Sequence, residues 1–133
     1  MNEQTLSIIK PDATERNLEN KIKTIFQKNN LKIIKSKKVQ ITKEEAADFY
    51  KIHQTKPFYD DLCNYLSSGP IVVMILEGEG AIVKNREIMG STDPLKAKDG
   101  TLRKMFGISI DKNSVHGSDS LENAKVEISF FFK

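Results

Sequence analysis

The residue best placed to do chemistry in this 133-residue chain is His116, in the run Asn113-Ser114-Val115-His116-Gly117-Ser118-Asp119 between a short apolar stretch and a helix start. A flanking glycine lets a ligand come close, and amides at a helix N-terminus attract phosphate. Locally, a loop histidine bonded to a nearby carbonyl explains the same pattern, because an imidazole's ordinary pKa makes it versatile rather than diagnostic. His53, the other histidine, falls on the polar side of a helix after Tyr50 and reads as a surface residue. Lys10, before Pro11, could aim an ammonium at phosphate from a strand tip or simply be solvated. Arg86 and Arg103 flank a long loop in a chain that otherwise favours lysine, which suits a bidentate grip on phosphate and equally a surface ion pair. Thr92, before Asp93-Pro94, could bind an anion or start a turn, and Phe58 after Pro57 could stack on a nucleobase or fill the core.

Other chemistries are excluded or unsupported. Neither GxxxxGK[ST] nor a GxGxxG after a strand is present, and Gly78-Glu79-Gly80 is a lone GxG. No Ser-His-Asp spacing stands out, and Asp60-Asp61 reads as a solvated helix start. The single cysteine, Cys63, has no partner for an intrachain disulfide, and with two histidines it cannot complete a closed zinc site, so a reducing, cytoplasmic setting is expected. Twenty-one basic against eighteen acidic residues leave a charge of +3, which suits an anionic ligand or plain solubility and falls short of a nucleic-acid footprint.

The elements that must position these residues follow from periodicity. At 133 residues, with 38% hydrophobic and 29% charged, one self-sufficient domain over 1–133 is expected. The longest apolar run, residues 71–76, is far short of the roughly 20 needed to cross a bilayer, and the N-terminus lacks the pattern of a secretory signal. Residues 5–9 read as a strand ending at Lys10-Pro11-Asp12. Leu18, Ile22, Ile25 and Phe26 form one helical stripe that stops at Asn29-Asn30. Residues 31–41 read as a half-exposed strand, and Thr42 with Glu45 as a capping box on a helix carrying Tyr50 and His53. Helices are expected over 59–66 and 81–89, and a strand buried on both faces over 71–76, closed by Gly78 and Gly80. Residues 90–112 form a long loop with one turn of helix at 102–106. A short strand near 108–110 or 113–116 precedes a last helix over 118–130, with Asp119 and Glu122 in its first turn and Leu121, Ala124, Ile128 and Phe131 on one stripe. This interleaving predicts an α+β fold of the ferredoxin-like kind, an open antiparallel four-stranded sheet covered by helices.

Over essentially its whole length the chain resembles the nucleoside diphosphate kinases. Residues 113–119 match the signature N-x-x-H-G-S-D, and six further matches follow in register: Ile9-Lys10-Pro11-Asp12, Lys56-Pro57-Phe58-Tyr59, Ser68-Gly69-Pro70, Thr92-Asp93-Pro94, Gly100-Thr101-Leu102-Arg103 and Glu127-Ile128-Ser129. The resemblance implies ping-pong phosphoryl transfer, with His116 taking the γ-phosphoryl from a nucleoside triphosphate, usually ATP, and passing it to a nucleoside diphosphate. It implies that Glu127, tied to Ser118, orients the imidazole. Lys10, Tyr50 and Asn113 would contact the transferring group or ribose, Arg86, Thr92 and Arg103 would hold phosphates, and Phe58 would stack on the base with Leu62 nearby. Mg²⁺ would bridge phosphate oxygens without direct protein ligands. A cytoplasmic homo-oligomer, tetramer or hexamer, is implied as well. Ala13, Lys56, Asp99 and Lys104-Met105 depart from the family's usual residues, the last two placing a positive charge beside Arg103. A silent nucleotide-binding module and a nucleic-acid binder are the competing readings. The set Lys10, Arg86, Arg103, Asn113, His116 and Glu127 favours the enzyme over the first, and the lack of basic residues clustered with aromatics disfavours the second.

Overall fold

Apolar alternation in the strands is what organises the molecule, because it gives each strand two usable faces. The computed structural model describes residues 2–51, 54–110 and 112–132. The elements run β1 (Asn2–Ile9), α1 (Pro11–Glu15), α2 (Glu19–Lys28), β2 (Lys32–Val39), α3 (Lys43–Phe49), α4 (Tyr59–Leu66), β3 (Ile71–Glu79), α5 (Ala81–Met89), α6 (Leu102–Phe106), β4 (Val115–Gly117) and α7 (Leu121–Phe131). The sheet order is β2-β3-β1-β4 and every pairing is antiparallel. The predicted four-stranded ferredoxin-like sheet is therefore present. No helix among the described residues is long and apolar enough to cross a membrane.

Successive residues of β1 and β3 feed opposite cores. Ile9, Val72, Met74 and Leu76 pack with Ile22 and Phe26 of α2 and with Ala81 and Met89 of α5. Leu6, Ile8, Ile71 and Val73 pack with Ala46 of α3, Cys63 and Leu66 of α4 and Phe131 of α7. Each fully buried Leu or Ile contributes up to about 1.5–3 kcal/mol, so loss of either layer would leave the sheet with one wet apolar face. On β4, Val115 faces the α2/α5 core, which turns His116 to the α3/α7 side.

Several boundaries differ from expectation. Pro11 starts a separate helix, α1, rather than only ending β1, because proline is tolerated where the first amides have no helical partner. β3 runs through Gly78 to Glu79, and a Cβ at Gly78 would press on the Asn30 carbonyl and Leu31, so this glycine permits close approach rather than closing the strand. α3 ends at Phe49 with Tyr50 as its C-cap. The expectation for His53 lies outside the described residues. The Thr42–Glu45 capping box is present, with both reciprocal hydrogen bonds formed at 3.1 and 3.0 Å. Residues 108–110 are not a strand. The fourth strand is Val115–Gly117, which pairs with Ser7, Ile8 and Ile9. α7 begins at Leu121, not Ser118, because Ser120 caps it by accepting from the Asn123 amide at 3.1 Å. Asp119 therefore precedes the helix, and Leu121 is largely exposed rather than part of the buried stripe.

Candidate active site

The His116 imidazole sits on β4, directly opposite Ile8 of β1, with its side chain 21% exposed, so the ring is reachable from solvent and not sealed among aliphatics. Its Nε2 lies 3.0 Å from Glu127 Oε1. The same oxygen accepts from the Ser118 hydroxyl at 2.8 Å. Ser118 is pinned in turn: its amide donates to the Leu6 carbonyl at 3.2 Å and its Oγ accepts from the Leu6 amide at 3.3 Å. Glu127 reaches the ring because the segment between β4 and α7 folds back, so the helix lies against β1, the strand that pairs with β4.

Gly117 serves a different purpose from the one the sequence suggests. A Cβ there would overlap the Asn85 amide and the Met89 thioether of α5, so the glycine lets β4 press against α5 rather than admitting a ligand. The α7 N-terminus is likewise closed by Ser120.

The lysine at the strand tip is not simply solvated. Lys10 is only 6% exposed, and its Nζ donates to Asn113 Oδ1 at 2.9 Å. Asn113 Nδ2 donates to the Thr92 carbonyl at 3.1 Å, so Lys10, Asn113 and the start of the long loop form one chain of contacts. The turn is initiated by Asp93, whose carboxylate accepts from the Leu95 amide at 3.0 Å.

A supporting cluster lies beneath, and sequence reasoning missed it. Ser114 holds a left-handed backbone (φ 76°), an uncommon state for a non-glycine residue. It is held there by its hydroxyl, which donates to Asp12 Oδ2 at 2.9 Å, and by its carbonyl, which accepts from the Lys10 amide at 2.8 Å. Asp12 is also paired with Arg16 at 3.1 Å and accepts from the Tyr65 hydroxyl. Burial and the neighbouring Asp12 carboxylate push the Tyr65 phenol well above its usual range. The available signal was Asp12 directly after Lys10-Pro11, read only as a breaker of the strand.

Arg86, Thr92 and Arg103 line one cleft of about 530 Å³ together with Gly90 and Met89. Arg103 is buried, and its terminal nitrogens donate to the Gly90 carbonyl at 3.1 Å and the Val115 carbonyl at 2.9 Å, tying the loop to β4. Burial, and then the positive charge of Arg86, lower its pKa to about 10. Two guanidiniums that repel across a cleft favour an anion between them.

Tyr50 is 6% exposed in the α3/α4/α7 core. Burial, followed by the Cys63 and Glu127 charges, pushes its phenol well above its usual range. Phe58, at the N-cap of α4, is 43% exposed rather than core, with the Lys56 ammonium 5.7 Å from its ring centre. Leu62 packs at the margin of the core beneath α4. Phe49, not singled out in the sequence, stands T-shaped to the His116 imidazole with ring centres 5.3 Å apart.

Comparison with known proteins agrees with this geometry. The family model described as nucleoside diphosphate kinase matches residues 3–133. A nucleoside diphosphate kinase of Nitratiruptor sp. is 58% identical over 130 residues, covering 98% of this chain and 95% of the relative. One from Campylobacter jejuni is 58% identical over 131 residues, covering 98% and 96%. A crystal structure of the Aquifex aeolicus nucleoside diphosphate kinase superposes with a TM-score of 0.98 at 41% identity, covering 100% of this chain and 96% of that one. With a carboxylate-braced histidine on the edge strand of a matching sheet, and a family match spanning nearly every residue, the chain belongs to the nucleoside diphosphate kinase family.

Proposed function

We infer that this chain moves the terminal phosphoryl group of a nucleoside triphosphate, usually ATP, to a nucleoside diphosphate through a phosphohistidine at His116, and so balances triphosphate pools. The observation that carries this reading is the 3.0 Å contact between His116 Nε2 and Glu127 Oε1. A carboxylate only accepts, so Nε2 bears the hydrogen and Nδ1 keeps the lone pair. In the first half-reaction Nδ1 bonds the γ-phosphorus while the bond to the β–γ bridging oxygen breaks, and the electron pair leaves with the nucleoside diphosphate. The ring becomes cationic, and the Glu127 charge offsets that development while holding the ring in place. The second half-reaction is the reverse with a different diphosphate, so one site serves both.

Loose phosphoryl transfer needs positioning and charge neutralisation more than covalent help. Lys10, buried and aligned by Asn113, supports contact with the transferring group, with Tyr50 and Asn113 beside it or at the ribose. Arg86, Thr92 and Arg103 share the cleft that would receive phosphates. The exposed Phe58 ring, with Leu62 beneath the same helix, supports stacking on a base, a contact indifferent to which base is bound. Among the described residues no group of three His, Cys, Asp or Glu side chains is placed to hold a metal. Nucleotide phosphates offer the oxygen donors that Mg²⁺ prefers, and Mg²⁺ carried on them would neutralise β- and γ-phosphate charge.

We read residues 1–133 as one nucleoside diphosphate kinase domain, supported by a single sheet with a core on each face. Exposed Leu95, Ile108, Ile110 and Val126 support assembly into a homo-oligomer, a tetramer or hexamer. The free thiol of Cys63 supports a cytoplasmic setting.

The function is tested with γ-labelled ATP and Mg²⁺. The expected product is an acid-labile, alkali-stable protein phosphate that His116→Ala lacks and that added GDP removes as labelled GTP. A well-folded protein that takes no label, or cannot pass it on, would overturn the reading.

A further inference from the structure

Glu127 is not the only side chain that restrains the His116 imidazole. The Phe49 ring, at the last residue of α3, stands against the imidazole with ring centres 5.3 Å apart and planes 74° to each other. Phe49 is itself braced by aromatic contacts: Phe131 at 5.2 Å, Tyr50 at 5.2 Å and Phe130 at 5.7 Å. Phe130 and Phe131 lie one turn beyond Glu127 on α7. One helix therefore sets both the carboxylate at the ring's Nε2 and the aromatic wall at its side. The end of that helix is anchored from the far strand, where Lys37 of β2 donates to the Phe131 carbonyl and holds its ammonium 4.9 Å from the Phe132 ring centre.

A wall is needed on physical grounds. The χ2 torsion of histidine is broad and roughly two-fold, so a ring held by a single hydrogen bond can tilt, and a half-turn exchanges the nitrogen positions with ring carbons. A T-shaped neighbour resists tilting and raises the barrier to the half-turn, because a ring turned part-way loses the perpendicular contact and presses on its neighbour.

We propose that Phe49 is a positioning residue for phosphoryl transfer, its ring braced by Phe130 and Phe131 so that the His116 imidazole keeps Nε2 on Glu127 and leaves Nδ1 to meet the γ-phosphorus. This rests on the reading of His116 as the nucleophile. Phe49 acts through the histidine and not on the nucleotide, so its loss affects the chemical step and the choice of nitrogen rather than nucleotide affinity.

The test compares the intact chain with Phe49→Leu and Phe49→Met, which keep an apolar side chain and remove the ring. Each is phosphorylated with ATP and Mg²⁺, and phosphorus NMR separates the Nδ1 and Nε2 phosphohistidines. The intact chain is expected to carry phosphate on Nδ1 alone. The variants should phosphorylate about 10- to 100-fold more slowly, as small misplacements of reacting groups do, with nucleotide KM within about twofold and part of the phosphate on Nε2. A merely structural role would lower thermal stability without moving the phosphate between nitrogens. Folded variants with intact-chain rates and Nδ1 phosphate alone would overturn the proposal. Should both variants fail to fold, nuclear Overhauser contacts between the Phe49 and His116 ring protons in the intact chain decide the matter, and their absence overturns it. An intact chain that takes no phosphate on His116 would instead overturn the reading of the site itself.

Discussion

His116 and Ser118 bond the same oxygen, Glu127 Oε1, at 3.0 and 2.8 Å. Two donors on one acceptor fix that oxygen in space, and Ser118 is itself tied through both its amide and its hydroxyl to Leu6 on β1. The imidazole is thus referenced to the centre of the sheet rather than to a mobile side chain.

Ser118→Ala should leave the Glu127 carboxylate with one donor fewer and the Leu6 amide without its side-chain acceptor. A stability loss of about 1–2 kcal/mol is expected, with single-turnover phosphorylation slowed roughly tenfold. Urea denaturation and rapid-quench labelling would check the two separately, and an unchanged rate would remove Ser118 from the positioning of Glu127.

Lys10→Ala removes a buried cation and leaves Asn113 Oδ1 without the donor that lies 2.9 Å from it. Loss of a preorganised charge near transferring phosphate should reduce kcat by about 10²–10³-fold with the circular dichroism spectrum retained. A near-normal turnover would place the lysine outside the chemistry.

Phe58→Ala, at a ring 43% exposed, should change stability by no more than about 0.5 kcal/mol. Nucleotide KM should rise about tenfold and by similar factors for adenine, guanine and pyrimidine nucleotides, as loss of a stacking face predicts. Steady-state kinetics with several diphosphates would show it, and a strong dependence on the base would contradict stacking as the mode of recognition.

Arg103 gives a pH prediction with a definite sign. Its pKa is lowered from the ordinary guanidinium range to about 10, first by burial and then by Arg86, so the unfolded chain holds this proton more tightly than the folded one. Stability contributed by the group rises with pH only from about 10 up to the ordinary guanidinium range and is flat below about 10. The stability difference between the wild-type chain and Arg103→Met should therefore be constant from about pH 6 to 9. Arg86→Ala removes part of the repulsion and should leave the nucleotide-free protein nearly as stable, while the rise in Tm on adding nucleoside diphosphate shrinks. Thermal unfolding with and without the nucleotide would measure both effects.

Much of the fold was legible because its signals are local. A helical stripe such as Ile22, Ile25 and Phe26, the Thr42–Glu45 cap and the β-branched run leading into β3 depend on neighbours a few residues away. The histidine stood out for the same reason, since its flanking residues are contiguous in the chain. Distant groups decided what the local sequence misread or left open: Gly117 answers to Asn85 and Met89, Lys10 is buried and bonded to Asn113, and Phe58 stays outside the core.

By itself, then, the amino-acid order determined which residue types were available, where most helices and strands form, and which histidine has the neighbours of a nucleophile. Only tertiary structure decided which way that imidazole points. Alternation along β4 sends Val115 to one core and His116 to the other, and the register with β1 brings α7 back over the sheet so that Glu127, eleven residues on, meets Nε2. The physical reason is that helical and strand periodicity are written in adjacent residues, whereas a hydrogen bond between two elements exists only once both have been packed on the same sheet.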